Sequence, residues 1–137
     1  MRNVPLFIEA SERQLMRNVI RPLAELLSSP VYEINSDTRE YLHIAGVFAN
    51  NFSNAMYAIA AEQLKKANLP FSVLLPLIEQ TADKIRQLPP HEAQTGPARR
   101  GDMKTIEWHL SRLEGEEKEI YRLLTDYIIS HNLDANN

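Results

Sequence analysis

A histidine and three asparagines recur along a stretch that has no formal charge. Tyr41–Ala61 reads YLHIAGVFANNFSNAMYAIAA, without Asp, Glu, Lys or Arg, yet it contains His43, Asn50, Asn51 and Asn54. On a helical wheel at about 100° per residue, these four gather with Val47 on one side. Tyr41, Ile44, Ala45, Phe48, Phe52, Ala55, Met56 and Ile59 gather on the other. A solvated helix face is normally built from Lys, Glu and Arg, and Asn is a poorer helix former. Short neutral donors and acceptors suit contact with another protein surface or with a bound ligand. The alternative without chemistry is a helix–helix contact in which the amides pair with neighbouring backbone.

A second group lies in Gln94–Asp102, QTGPARRGD. Thr95, Gly96 and Pro97 make a sharp, rigid turn. Arg99 and Arg100 then precede a helix that Asp102 is placed to cap. Guanidinium forks beside free backbone N–H groups can bind a carboxylate or phosphate. The plainer reading makes Arg99 and Arg100 surface charges and Asp102 only a cap.

The elements that must position these residues are mostly helical. Val4–Glu9 and Val31–Ile34 read as short strands. The helix between them is opened by Ser11 with Gln14 as a capping box, and Leu15, Val19, Leu23 and Leu26 share one of its faces. Pro22 should kink or split it. This strand–helix–strand has the size of one βαβ crossover, but two strands make no independent sheet. Ser36 or Asp37 then caps a helix running to about Asn68, roughly 45 Å long. It should be buried on most sides, because in lipid its amides, histidine and serine would need partners. Later helices follow Phe71–Ile85, with Pro76 in the first turn, then Met103–Leu113 and Ile120–Ile128. A polar loop with Thr95–Asp102 separates the first two, and Trp108 reads as a packing residue.

Bulk properties exclude several classes. The chain has 137 residues, 44% hydrophobic and 24% charged, and a net charge of −3. Nothing draws it generally to nucleic acid or to an anionic membrane. Without cysteine there is no disulfide scaffold, thiolate metal site or cysteine nucleophile. The histidines are scattered, with no HExxH and no metal spacing, so no metal site is expected. The four glycines make neither GxGxxG nor a P-loop, so the chain has no dinucleotide cradle of its own. With no targeting motif, a cytoplasmic protein is the expectation.

The run YLHIAGVFANNFSNAMYAIAAEQLKKANLPFSVLLPLIEQTADKI, followed by EAQTGPARRGD and WHLSRL, resembles a bacterial family of unknown function. In that family a Rossmann-like NADP-binding domain precedes an all-helical domain similar to the C-terminal domain of 6-phosphogluconate dehydrogenase. The most specific marks are His43 with Val47-Phe48-Ala49 and Asn51, then Thr95-Gly96-Pro97 and Arg100-Gly101-Asp102. The resemblance implies a mainly α fold, a 6-phosphogluconate-dehydrogenase-like helical bundle with a residual N-terminal βαβ. Residues 1–35 would be the end of a Rossmann-like domain whose glycine-rich half is missing, and 36–137 a helical substrate and dimerisation domain.

The function implied is that of the C-terminal part of an NAD(P)-dependent oxidoreductase, forming a homodimer and acting on an unknown small molecule. NADP belongs to the longer protein, and this chain alone should bind no cofactor and be catalytically silent. In hydroxyacid dehydrogenases of the wider superfamily, the long helix bears a catalytic lysine with an asparagine four residues later. Matching that pattern puts Asn51 at the asparagine and Val47 at the lysine. His43, one turn earlier, could then be the proton donor. Asn50, Asn54, Thr95, Gly96, Arg99, Arg100 and Asp102 would face substrate or cofactor. A non-enzymatic dimerisation or interaction module is the alternative.

Overall fold

The computed structural model describes residues 4–134, with side chains as far as His131. Two strands, β1 (Leu6–Ile8) and β2 (Val31–Glu33), pair in parallel, with Phe7 opposite Tyr32 and their rings stacked 5.5 Å apart. The helical connection between them is α1 (Arg13–Leu15), a π turn over Met16–Ile20, and α2 (Arg21–Leu27). The expected break at Pro22 takes this form. Proline has no N–H for the helical ladder, and the wider turn ends just before it, leaving Pro22 in the first turn of α2.

One sequence expectation fails here. Glu12, not Ser11, stands at the N-cap, with no side-chain hydrogen bond. In the connection Met16 and Ala24 are buried, while Leu15, Val19, Leu23 and Leu26 remain exposed. The leucine stripe is legible in the sequence, but the buried side chains of this connection are a small one and a flexible one off that stripe. Ser28, also buried, donates from Oγ to the Val4 carbonyl.

The long helix begins as α3 (Ser36–Gly46), continues through a π turn over Val47–Phe52, and ends as α4 (Ser53–Lys66). Its cap is neither Ser36 nor Asp37. The Asn35 side chain accepts from the Thr38 N–H at 2.8 Å. Ser36 donates to Glu9 at 3.0 Å and Arg39 pairs with the same carboxylate, tying the start of α3 to the end of β1. Asn68 stops the run with φ 55°, the left-handed conformation that ends many helices. None of its residues is buried. The expected burial is therefore not supplied by the described residues: Tyr41 is 75% exposed and Phe48 65%.

The chain divides into one compact unit ending at Tyr57 and a second beginning at Ala58, with the division inside α4. In the second unit a 3₁₀ turn (Phe71–Leu74) leads into α5 (Leu75–Gln87), with Pro76 in its first turn as expected. The segment read as a polar loop instead holds two helical turns, α6 (Pro90–Ala93) and α7 (Pro97–Arg100), each opened by a proline whose missing N–H costs nothing there. Helices α8 (Met103–Leu110) and α9 (Gly115–Asp134) follow. Ala98, Ile106 and Thr125 form the buried centre of α7, α8 and α9. Tyr121 Oη lies 2.7 Å from His109 Nδ1, linking α8 to α9. Gln63 and Lys66 both reach Glu117, joining the end of α4 to α9. Trp108 is not packed as expected: it is 55% exposed, with the Arg112 guanidinium 4.4 Å above its ring.

Candidate functional site: a polar helix face and a histidine-lined cleft

The long-helix residues sit where its geometry changes. Val47, Asn50 and Asn51 fall inside the π turn, His43 one turn before it, and Asn54 just after it. A π turn takes one more residue per turn than an α turn, so the wheel slips by about one residue, roughly 100°, past Phe52. Within the turn, Phe48 and Phe52 meet edge to face at 5.0 Å. His43, Asn50, Asn51 and Asn54 are all exposed, and among the described residues none of their side chains makes a hydrogen bond or ion pair. Among the described residues, the amides do not pair with neighbouring backbone. Single π turns inside α-helices are frequent at functional sites.

The turn around Thr95–Asp102 is built by two glycines in conformations that disfavour side chains. Gly96 has φ 102° and precedes α7, and Gly101 has φ 67° and closes it. The structure separates the residues that the sequence grouped. Asp102 caps α8, accepting from the Thr105 N–H at 3.1 Å and from its hydroxyl at 2.7 Å. Those hydrogen bonds, chiefly the hydroxyl's, hold its carboxyl below the ordinary value, with Arg100 and Lys104 adding to the effect. The N-terminus of α8 thus already holds a carboxylate from within the chain. Thr95 and Arg100 are exposed.

Arg99 is half-buried and turns elsewhere. It lines a cleft of about 330 Å³ with His91 and Gln94 before it in the chain and Tyr127, Ile128 and His131 on α9. His131 is held by its Nδ1, 2.8 Å from the Tyr127 carbonyl, and its ring stacks on Tyr127 at 4.0 Å. The histidines and Tyr127 were missed as site residues because they are far apart in sequence, and only the packing of α7 on α9 brings them together. Among the described residues no cluster of His, Asp or Glu could hold a metal ion. None of the helices among them is long and apolar enough to cross a membrane.

A parallel strand pair joined by a helix and followed by a helical domain is the architecture of a class with solved members. One is a Bacteroides fragilis protein named "putative NADP oxidoreductase", 46% identical to this chain, with a TM-score of 0.85 over 94% of it and 50% of that protein. Another, from Thermotoga maritima, is 22% identical and shares the fold, with a TM-score of 0.80 over 97% of this chain and 55% of the other. The chain therefore spans about half the length of both. No curated protein matches it. Residues 4–128 match the family described as Domain of unknown function (DUF2520), and the chain belongs to that family. The resemblance and the mainly helical fold read from the sequence are both borne out.

Proposed function

We propose that this chain is the substrate-binding and dimerisation domain of an NAD(P)-dependent oxidoreductase. The observation that carries this reading is the match of nearly the whole chain to half of a protein named for NADP oxidoreduction. The exposed surfaces support it. A two-stranded parallel sheet has open edges, and such sheets normally lie inside larger α/β domains. Those edges and the exposed Leu15, Val19, Leu23 and Leu26 would be covered by the rest of a Rossmann-like domain. The exposed Tyr41, Ile44, Phe48 and Phe52 would be covered by a second copy across a two-fold axis.

The dinucleotide would be held by that other domain, since this chain's glycines form no cradle. A nicotinamide, when bound, supplies hydride transfer. What this chain offers it is His43, Asn51 and Asn54, exposed donors and acceptors without partners among the described residues. His43 would exchange a proton with the substrate oxygen while the asparagines orient the reacting groups. Val47 has no proton to give, so a lysine mechanism is unavailable.

The test uses the protein with its Rossmann-like domain. NADPH should bind to wild type and to His43→Ala, and turnover in His43→Ala should fall about 10²–10⁴-fold. Wild type that binds no nucleotide would sink the cofactor assignment, and unchanged turnover in the variant would remove His43 from the mechanism. A second reading, a non-enzymatic dimerisation module, is favoured by Val47 at the position of the lysine. A dimer that binds no nucleotide would establish it.

A further inference from the structure

We infer that the cleft between α7 and α9 is a binding site for a small organic anion with a carboxylate or phosphate head and a flat or apolar body. The head is recognised by chemistry concentrated at one end. Arg99 offers a planar fork of N–H groups, and with five donors it can meet a ligand while keeping a contact of its own. His91 and Gln94 line the same cleft and carry N–H donors, the Gln94 amide giving one to the Thr95 carbonyl at 2.9 Å and keeping a second. None of the residues lining the cleft is acidic. The nearest carboxylate to His91, that of Glu92, stands 3.7 Å from Nε2 on an exposed side chain, and it does not line the cleft.

The body of the ligand is recognised by the lining that α9 supplies. Tyr127 and His131 are stacked with their rings 26° from parallel, and Ile128 lies beside them. The bond between His131 Nδ1 and the Tyr127 carbonyl fixes that pair in place. A site made of a few convergent polar groups over an apolar wall, about 330 Å³ in size, is of the kind that holds small ligands. This site does not depend on nucleotide or on dimerisation, because every residue that forms it belongs to the second unit of this chain.

The experiment titrates the 137-residue chain with benzoate, acetate and inorganic phosphate. Binding is followed by calorimetry and by the imidazole resonances of His91 and His131. Benzoate and phosphate should saturate, with benzoate binding about fivefold tighter than acetate because of the ring wall. Arg99→Gln should weaken both benzoate and phosphate by at least about fivefold. Arg86→Gln, which removes a charge from an exposed site on α5, should change neither by more than about twofold. Tyr127→Ala should erase the preference for benzoate over acetate and leave acetate and phosphate unchanged.

Shifts that stay linear to about 50 mM, or equal losses in Arg99→Gln and Arg86→Gln, would overturn the site. If Arg99→Gln fails to fold by circular dichroism, His91→Gln takes its place, and unchanged benzoate and phosphate affinity there overturns it equally. Saturable phosphate binding without a benzoate preference would refute the apolar body and mark the cleft as a site for inorganic phosphate alone. None of these outcomes involves NADPH, so failure here and failure of the oxidoreductase reading are separable.

Discussion

The long helix and the junction of α7, α8 and α9 solve the same problem in opposite ways. At the junction, Ile106 is 2% exposed and the hydroxyl of Tyr121 is already partnered by His109. Along the long helix, large side chains such as Tyr41, Ile44 and Phe48 stand open to solvent. One region completes its core within the chain, and the other presents an apolar face with no cover of its own. An uncharged stretch therefore signals burial without saying which molecule does the burying.

Substitutions at equivalent apolar positions should separate the two. Ile106→Ala should cost about 2–5 kcal/mol in chemical denaturation, because it leaves a cavity in a filled centre. Phe48→Asp should leave the monomer's secondary structure intact and weaken self-association by about tenfold or more, read by light scattering against concentration. A wild-type monomer at micromolar concentration would break the comparison, as would a Phe48→Asp variant as unstable as Ile106→Ala.

Smaller effects sharpen the junction's side. Tyr121→Phe should lose about 1 kcal/mol with the hydroxyl's hydrogen bond to His109. Burial pushes the Tyr121 phenol above its ordinary value of 10.0, so the folded state favours the neutral form. Its contribution is complete below pH 10.0 and is lost as pH rises through the higher folded value, a decline that the phenylalanine variant should not share. Asp102 has the reverse sign. Its contribution is complete above 3.8 and is lost as pH falls through the lower folded value. Asp102→Asn keeps a capping side chain, so it should change neutral stability least of all and remove that part of the acid slope, measured by thermal melts from pH 2 to pH 5.

Most of the fold was legible because its signals are local. Proline positions, the Asp102 cap and the uncharged run each act within a turn or two of chain. The failures share a cause. Asn35 rather than Ser36 caps α3 because the choice among adjacent polar residues depends on the exact entry of the chain. That Met16 and Ala24, and not the leucine stripe, are the buried residues of the connection was not read at all, because tertiary fit and not hydrophobicity alone decides burial. In the cleft, His91 and His131 meet Arg99 through tertiary packing, which no spacing rule reads. The two π turns escaped because a wheel of constant period has no place for an added residue.

The π turn at Val47–Phe52 holds one residue more than a regular α-helix needs to reach the same bearing. Substitution at Asn50 or Asn51 changes one side chain, but deleting either removes the surplus residue. Regular α geometry then returns with the next residues on the bearing they already have, because the deletion takes away the residue that the π turn absorbs. Relaxation without a deletion is what would turn residues 53–57 by roughly 100° about the axis. The π turn thus acts as a phase adjuster, and a chain of the same length whose helix ran as unbroken α would present Met56 on a different bearing from Tyr41 and Ile44.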